Sequence, residues 1–133
     1  MSGLIPVLVL AVFVLVAVSF VVIFRQNHRT QVGREQAELT RTDDARAEAR
    51  RWIDRLGTEV LSTSGTDAHS TDLVGQASAR LTAATTHLGD ATSPAQARTA
   101  RDIALEGLHL MRDARRAMGQ PDGAPIPAPE ERA

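Results

Sequence analysis

Residues 4–24, LIPVLVLAVFVLVAVSFVVIF, run for 21 positions without a charged side chain. At ~1.5 Å rise per residue a helix of this length spans about 30 Å, the thickness of a bilayer hydrocarbon core. The run predicts a transmembrane helix, with Pro6 in its first turn, where a missing N–H costs little. Phe13, Phe20 and Phe24 are three of the four aromatics in the chain and suit lipid contact. A secretory signal peptide is the competing reading, because Ala17-Val18-Ser19 fits a small-x-small cleavage pattern. Against it, no basic residue precedes the run, and the run exceeds an ordinary signal-peptide core.

The flanks set an orientation. Basic charge is missing before Leu4, whereas Arg25, Arg29 and Arg34 follow the run. The positive-inside rule then puts the N-terminus outside and the following domain in the cytoplasm, with these three arginines as topology determinants. The run carries no ionisable residue and no Gly-x-x-x-Gly, so it reads as an anchor in the lipid bilayer and neither an ion path nor a dimerisation motif.

Residues 25–42, RQNHRTQVGREQAELTRT, hold four Arg against two Glu and are read as a juxtamembrane stalk or linker, either prolonging the membrane helix or breaking near Gly33. Three amphipathic segments follow. The first, residues 43–62, opens at a Thr42 or Asp43 cap and gathers Ala45, Ala49, Trp52, Ile53, Leu56 and Val60 into an arc of roughly 100°. Its charged side offers Arg50/Asp54 and Arg55/Glu59 at i,i+4 spacing.

After a loop at STSGTDAHS, a Ser70 or Thr71 cap opens a second helix, residues 71–91, with Leu73, Val74, Ala77, Leu81, Ala84 and Leu88 on one face. Ser93-Pro94 starts the third, residues 94–118, and Gly119 with Pro121 stops it. Its apolar positions cover about half the helical wheel. Either both other helices bury them, or one flank, Ile103, Leu110, Ala114 and Ala117, stays open for a second copy or another protein.

Short connections between helices of similar length predict an antiparallel three-helix bundle over residues 43–118, an all-α fold. Only 15 large apolar side chains lie between Asp43 and Met118, a thin core that association would stabilise. Residues 119–133, GQPDGAPIPAPEERA, are Pro-rich and read as a disordered tail.

The remaining composition excludes more than it assigns. A net charge of −1 gives no bulk attraction to nucleic acid, and without Cys there is no disulfide, thiolate nucleophile or Cys-based metal site. All 15 basic residues are Arg, which reads as codon bias. His87 and His109 differ in height by roughly 18 Å in an antiparallel hairpin and cannot share a metal. Asp67, His69 and Asp72 surround the start of the second helix, where capping accounts for them. Arg112, Arg115 and Arg116 fall in the third helix's last turns, where cations complement the dipole. No phosphate-binding loop or hydrolase motif is present, so no enzyme activity, cofactor, metal or small-molecule substrate is expected.

At ARRWIDRLG and ALEGLHLMRDARRAMG the chain resembles a family of uncharacterised actinobacterial single-pass membrane proteins with a small helical domain, over most of residues 1–120. The resemblance implies a bacterial plasma-membrane protein and carries over no active-site residue. Together these readings point to a membrane-anchored helical scaffold or adaptor that self-associates or joins another membrane-complex protein. An extracytoplasmic envelope-binding or sensing domain is the alternative.

Trp52 sits at the edge of its stripe, beside Glu59, Glu48 and Arg55 on the wheel. There its ring can cover the core with Arg55 stacking on it, while Arg50 and Arg51 point elsewhere; an edge Trp can also meet a partner.

Overall fold

The computed structural model describes residues 3–128, the side chains of Ile5 and of residues 24–30 excepted. Three α-helices are present among the described residues: α1, Leu4–Ser62; α2, Ala68–Asp90; and α3, Pro94–Ala117. The chain divides into two units, Met1–Leu39 and Thr40–Ala133.

In the first unit, Pro6–Ile23 is long and apolar enough to cross a membrane, a criterion that an N-terminal signal sequence also meets, and none of it is buried. Phe13, Leu10 and Phe20 are each about 70 % exposed. The Ser19 hydroxyl donates to the Leu15 carbonyl at 2.8 Å, which hides the segment's one hydroxyl within its own helix. Arg34 lies on α1; the side chains of Arg25, Arg29 and Phe24 lie outside the described residues.

α1 is unbroken through residues 25–62, so the stalk is helical and no cap forms at Thr42 or Asp43. The sequence from Arg34 to Arg51 contains neither Pro nor Gly and is rich in Ala, Glu, Gln and Arg, the residues that propagate a helix. Thr42 lies inside the helix and is buried.

The second unit is a packed bundle. Ala49, Ile53 and Leu56 of α1 meet Ala77, Ala84 and Leu88 of α2 and Ala100, Ile103, Ala104, Leu105, Leu108 and Met111 of α3 in one core. Many of these are alanines, which let helix backbones approach closely. At Gly107 the approach is closest: a Cβ there would lie 2.5 Å from Leu56 Cδ2 and 3.1 Å from Arg80 Cβ, so both neighbouring helices press on this point of α3.

Side-chain bridges define the directions. Glu48 lies 3.6 Å from Arg101 and Glu59 3.4 Å from Arg115, so α1 and α3 run parallel in the bundle. α2 runs against both, and Arg46 of α1 ties its end by donating to the Leu88 and Ala91 carbonyls at 3.0 and 2.7 Å. Leu88 lies in the last turn of α2 and also accepts from the N–H of Ala91, the C-cap, so Arg46 supplements the bonding of a helix end whose final carbonyls lack i+4 partners.

The helix ends explain where the boundaries fall. α2 starts at Ala68, three residues before the expected start at 71, because Asp67 and not Ser70 or Thr71 is the N-cap: its carboxylate accepts from Ser70 N at 2.7 Å, and the Ser70 hydroxyl accepts from Asp67 N at 3.1 Å. Ser70 thus closes a capping box from its third position. The Ser93 cap and Pro94 of α3 form as expected, with Gln96 N donating to the Ser93 hydroxyl at 3.2 Å. At the other end Gly119, with φ 71°, donates to Arg116 O, and Gln120 N donates to Arg115 O at 2.8 Å. This pair of bonds is a Schellman motif, and the left-handed residue it requires is the glycine expected to stop the helix.

Candidate functional site

The five residues singled out for interaction do not form one open face. Ile103 and Ala114 are buried, Leu110 and Trp52 are half-buried against the core, and only Ala117 is exposed. The wide apolar face of α3 is consumed by packing against both α1 and α2. Leu110 remains accessible in a groove of about 360 Å³ that it lines with Gln76 and Arg80 of α2 and with Glu106, His109 and Asp113 of α3. Arg80 and Glu106 pair across this groove at 3.4 Å, both about half exposed.

Trp52 has more neighbours than the helical wheel suggests. The Arg55 guanidinium lies 5.6 Å from the centre of its ring, as expected, but Arg51 also turns back to within 5.5 Å. Arginine side chains are long enough to leave the direction of their Cα and cover a neighbouring ring.

Arg55 leads to the most organised polar cluster of the bundle. Glu59 stands one turn further along α1, its Oε1 3.5 Å from Arg55 Nε and 3.4 Å from Arg115 Nη2. One carboxylate therefore orients two guanidiniums on parallel helices. Both aim remaining N–H groups at the chain beyond α3. Arg55 donates to the Ala124 and Pro125 carbonyls at 2.9 and 3.3 Å, and Arg115 to the Asp122 carbonyl at 3.3 Å.

Arg116 holds the Asp122 carboxylate with two parallel bonds of 2.7 Å. Those bonds keep Asp122 below the usual carboxylate range and raise Arg116 above the usual guanidinium range. Beyond them Ile126 packs on the hydrophobic core, and His109 Nε2 lies 3.1 Å from the Pro127 carbonyl. A carbonyl only accepts, so this contact selects the Nε2–H form of His109.

Residues 119–128, read from their prolines as a disordered tail, form neither helix nor strand and carry the contacts with α1 and α3 given above. They lie as an extended strap across α1 and α3. Composition gives little sign of these contacts because they are made by tail carbonyls, which proline retains, by the Asp122 carboxylate and by a single apolar side chain. The signals present were Asp122, six residues beyond a run of arginines, and a lone Ile in a segment otherwise without large apolar residues. Of the arginines in the last turns of α3, Arg115 is engaged by Glu59 and the strap and Arg116 by the strap, in addition to complementing the helix dipole, while Arg112 lies 3.9 Å from Asp113.

Elsewhere, Arg101 is buried between Asp102, at 3.1 Å, and Glu48. Asp67, the N-cap of α2, is held below the usual carboxylate range chiefly by its hydrogen bonds from Ser70. Among the described residues no three His, Asp or Glu side chains stand close enough to hold a metal ion. No protein-family model, curated protein or solved structure matches this chain.

Proposed function

We propose that this chain is a non-enzymatic, single-pass membrane protein whose bundle serves as an assembly module, at the plasma membrane of a bacterium. One observation carries the reading. The bundle packs a core of its own, while Pro6–Ile23 presents an apolar surface that is nowhere buried among the described residues. A hydrocarbon environment is the solvent such a surface matches. Arg25, Arg29 and Arg34 after the segment favour a cytoplasmic bundle.

The assembly role rests on the thin, alanine-rich core and on the groove beside Leu110, which an identical or different membrane-complex protein would cover.

Fusions of a cytoplasm-active and an export-active reporter to the C-terminus test topology. Activity only in the cytoplasm-active fusion, with the chain resisting alkaline extraction from membranes, is the expected result. Export of the C-terminus with an intact N-terminus would support the extracytoplasmic sensing or binding domain instead. Release of a soluble chain shortened near Ser19 would identify a signal sequence and overturn the anchor. Leu110→Glu is expected to reduce self-association or partner recovery several-fold while helix content is kept, since the residue is only half-buried.

A further inference from the structure

The strap is held mainly by polar contacts. The helices share a continuous aliphatic core besides their ion pairs and the Arg46 bonds, whereas residues 122–127 are gripped by an ion pair, arginine bonds to main-chain carbonyls, and one apolar anchor. Main-chain carbonyls plus one side-chain pocket is how extended peptides are recognised. The grip is also reversible by construction. Arg116 and Asp122 are about half exposed, where salt screens a pair, and the Arg55, Arg115 and His109 bonds to the strap are exposed as well. Within this cluster Glu59 Oε2 is buried without a hydrogen-bond partner among the described residues, which a permanent part of the fold would ordinarily satisfy.

We propose that the α1–α3 face around Arg55, Glu59, Arg115 and Arg116 is a peptide-binding surface, and that residues 119–128 are its tethered, releasable occupant. Asp122 seats in the Arg116 fork, Arg55 reads the two carbonyls before Ile126, and Ile126 anchors on the core. The tether is short: three residues separate Met118, the cap of α3, from Asp122. A tether of this length supplies an effective concentration on the order of millimolar, so weak binding in trans is enough to keep the strap closed in cis. Opening it frees Arg55 from the strap and with it changes the cover over Trp52.

Trp52 is the chain's only tryptophan, which makes its fluorescence a direct reporter of the strap. The test uses the full chain in detergent micelles and follows quenching of Trp52 by acrylamide, with helix content measured in parallel. Ile126→Glu is expected to raise the quenching constant about twofold with helix content unchanged, an exposure change on the order of one half-buried ring losing its neighbours. A peptide of residues 119–128, added at millimolar concentration to this variant, is expected to return quenching to the wild-type value, while the same peptide carrying Asp122→Ala does not. Asp122→Asn in the full chain, which spares the core, is expected to give a smaller rise in the same direction.

Unchanged quenching in both variants would overturn the proposal, as would a cooperative loss of helix in Ile126→Glu, which would make the strap a fixed part of the core. Failure of the peptide to protect Trp52 at millimolar concentration would remove the binding surface.

Discussion

The two ends of α1 share a backbone conformation and little else. From Leu4 to Ile23 valine, leucine, isoleucine and phenylalanine fill every side of the helix and are exposed; from Ala49 onward apolar residues keep to one stripe and are buried, two of the three core positions being Ile53 and Leu56 and the third an alanine. A helix that is apolar all round requires apolar surroundings on every side, whereas a stripe requires only neighbours on one. Side chains of similar size are thus exposed in the first segment and packed against α2 and α3 in the second, so what separates the two ends is how apolar residues are distributed around the helix.

Substitutions that are damaging in one region and silent in the other sharpen this contrast. Leu108 is fully buried in α3, and Leu108→Ala is expected to cost about 2–5 kcal/mol of bundle stability by leaving a cavity, with membrane association unchanged. Val14 is exposed in the middle of the apolar segment, and Val14→Arg is expected to cost about 2.5–3.5 kcal/mol of insertion free energy without moving the bundle's denaturation midpoint. Denaturant titration and membrane partitioning of both variants decide the matter. A Val14→Arg chain that still partitions fully, or that melts earlier in the bundle, would break the division.

Gly107→Ala gives a smaller effect. The added methyl meets Leu56 of α1 and presses the stem of Arg80, so overpacking is expected to cost about 1–3 kcal/mol; because alanine is the better helix former, a wild-type or raised midpoint would mean the two helices yield there. Sequence alone could not have placed this contact, since a lone glycine in a helical pattern signals a weak helix as readily as a close approach.

What was legible followed the same rule. The apolar run, the stripes on α1 and α2, and the Ser93-Pro94 start and Gly119 stop of α3 are local signals, and they were readable because each depends on a few consecutive residues. The Asp67 cap was displaced by three residues because Ser70 is a plausible cap by itself, and only the reciprocal bonds reveal which partner leads. Arg46 on the end of α2, the Arg55–Glu59–Arg115 cluster and the docked strap join residues 42 to 70 positions apart in the case of the α1 arginines. No period or composition encodes such contacts. The prolines of residues 119–133 gave no sign of the contacts that 119–128 make, and residues 129–133 lie outside the described part of the chain.

The mildest test uses protons and salt to separate a local contact from a long-range one. Asp67 and Asp122 both titrate below the ordinary 3.8, Asp67 because of the Ser70 hydroxyl and amide, Asp122 because of Arg116. In each case the unfolded or detached state binds the proton more readily, so the stabilisation is fully present above about pH 4 and is lost as pH falls through the lowered value. The two losses have different readouts. Asp67 holds the start of α2, so its protonation lowers the bundle's melting temperature; Asp67→Asn, which still caps a helix, is expected to flatten that acid dependence. Asp122 holds the strap, so its protonation raises Trp52 quenching, and Asp122→Asn is expected to flatten that signal. Salt distinguishes them further. The exposed Arg116–Asp122 pair is screened, and Trp52 quenching should rise with ionic strength at pH 7, whereas the Asp67 bonds come from the uncharged hydroxyl and amide of Ser70 and should leave the melting temperature nearly unmoved. A salt response confined to the melting temperature would show that the strap and the bundle do not open separately.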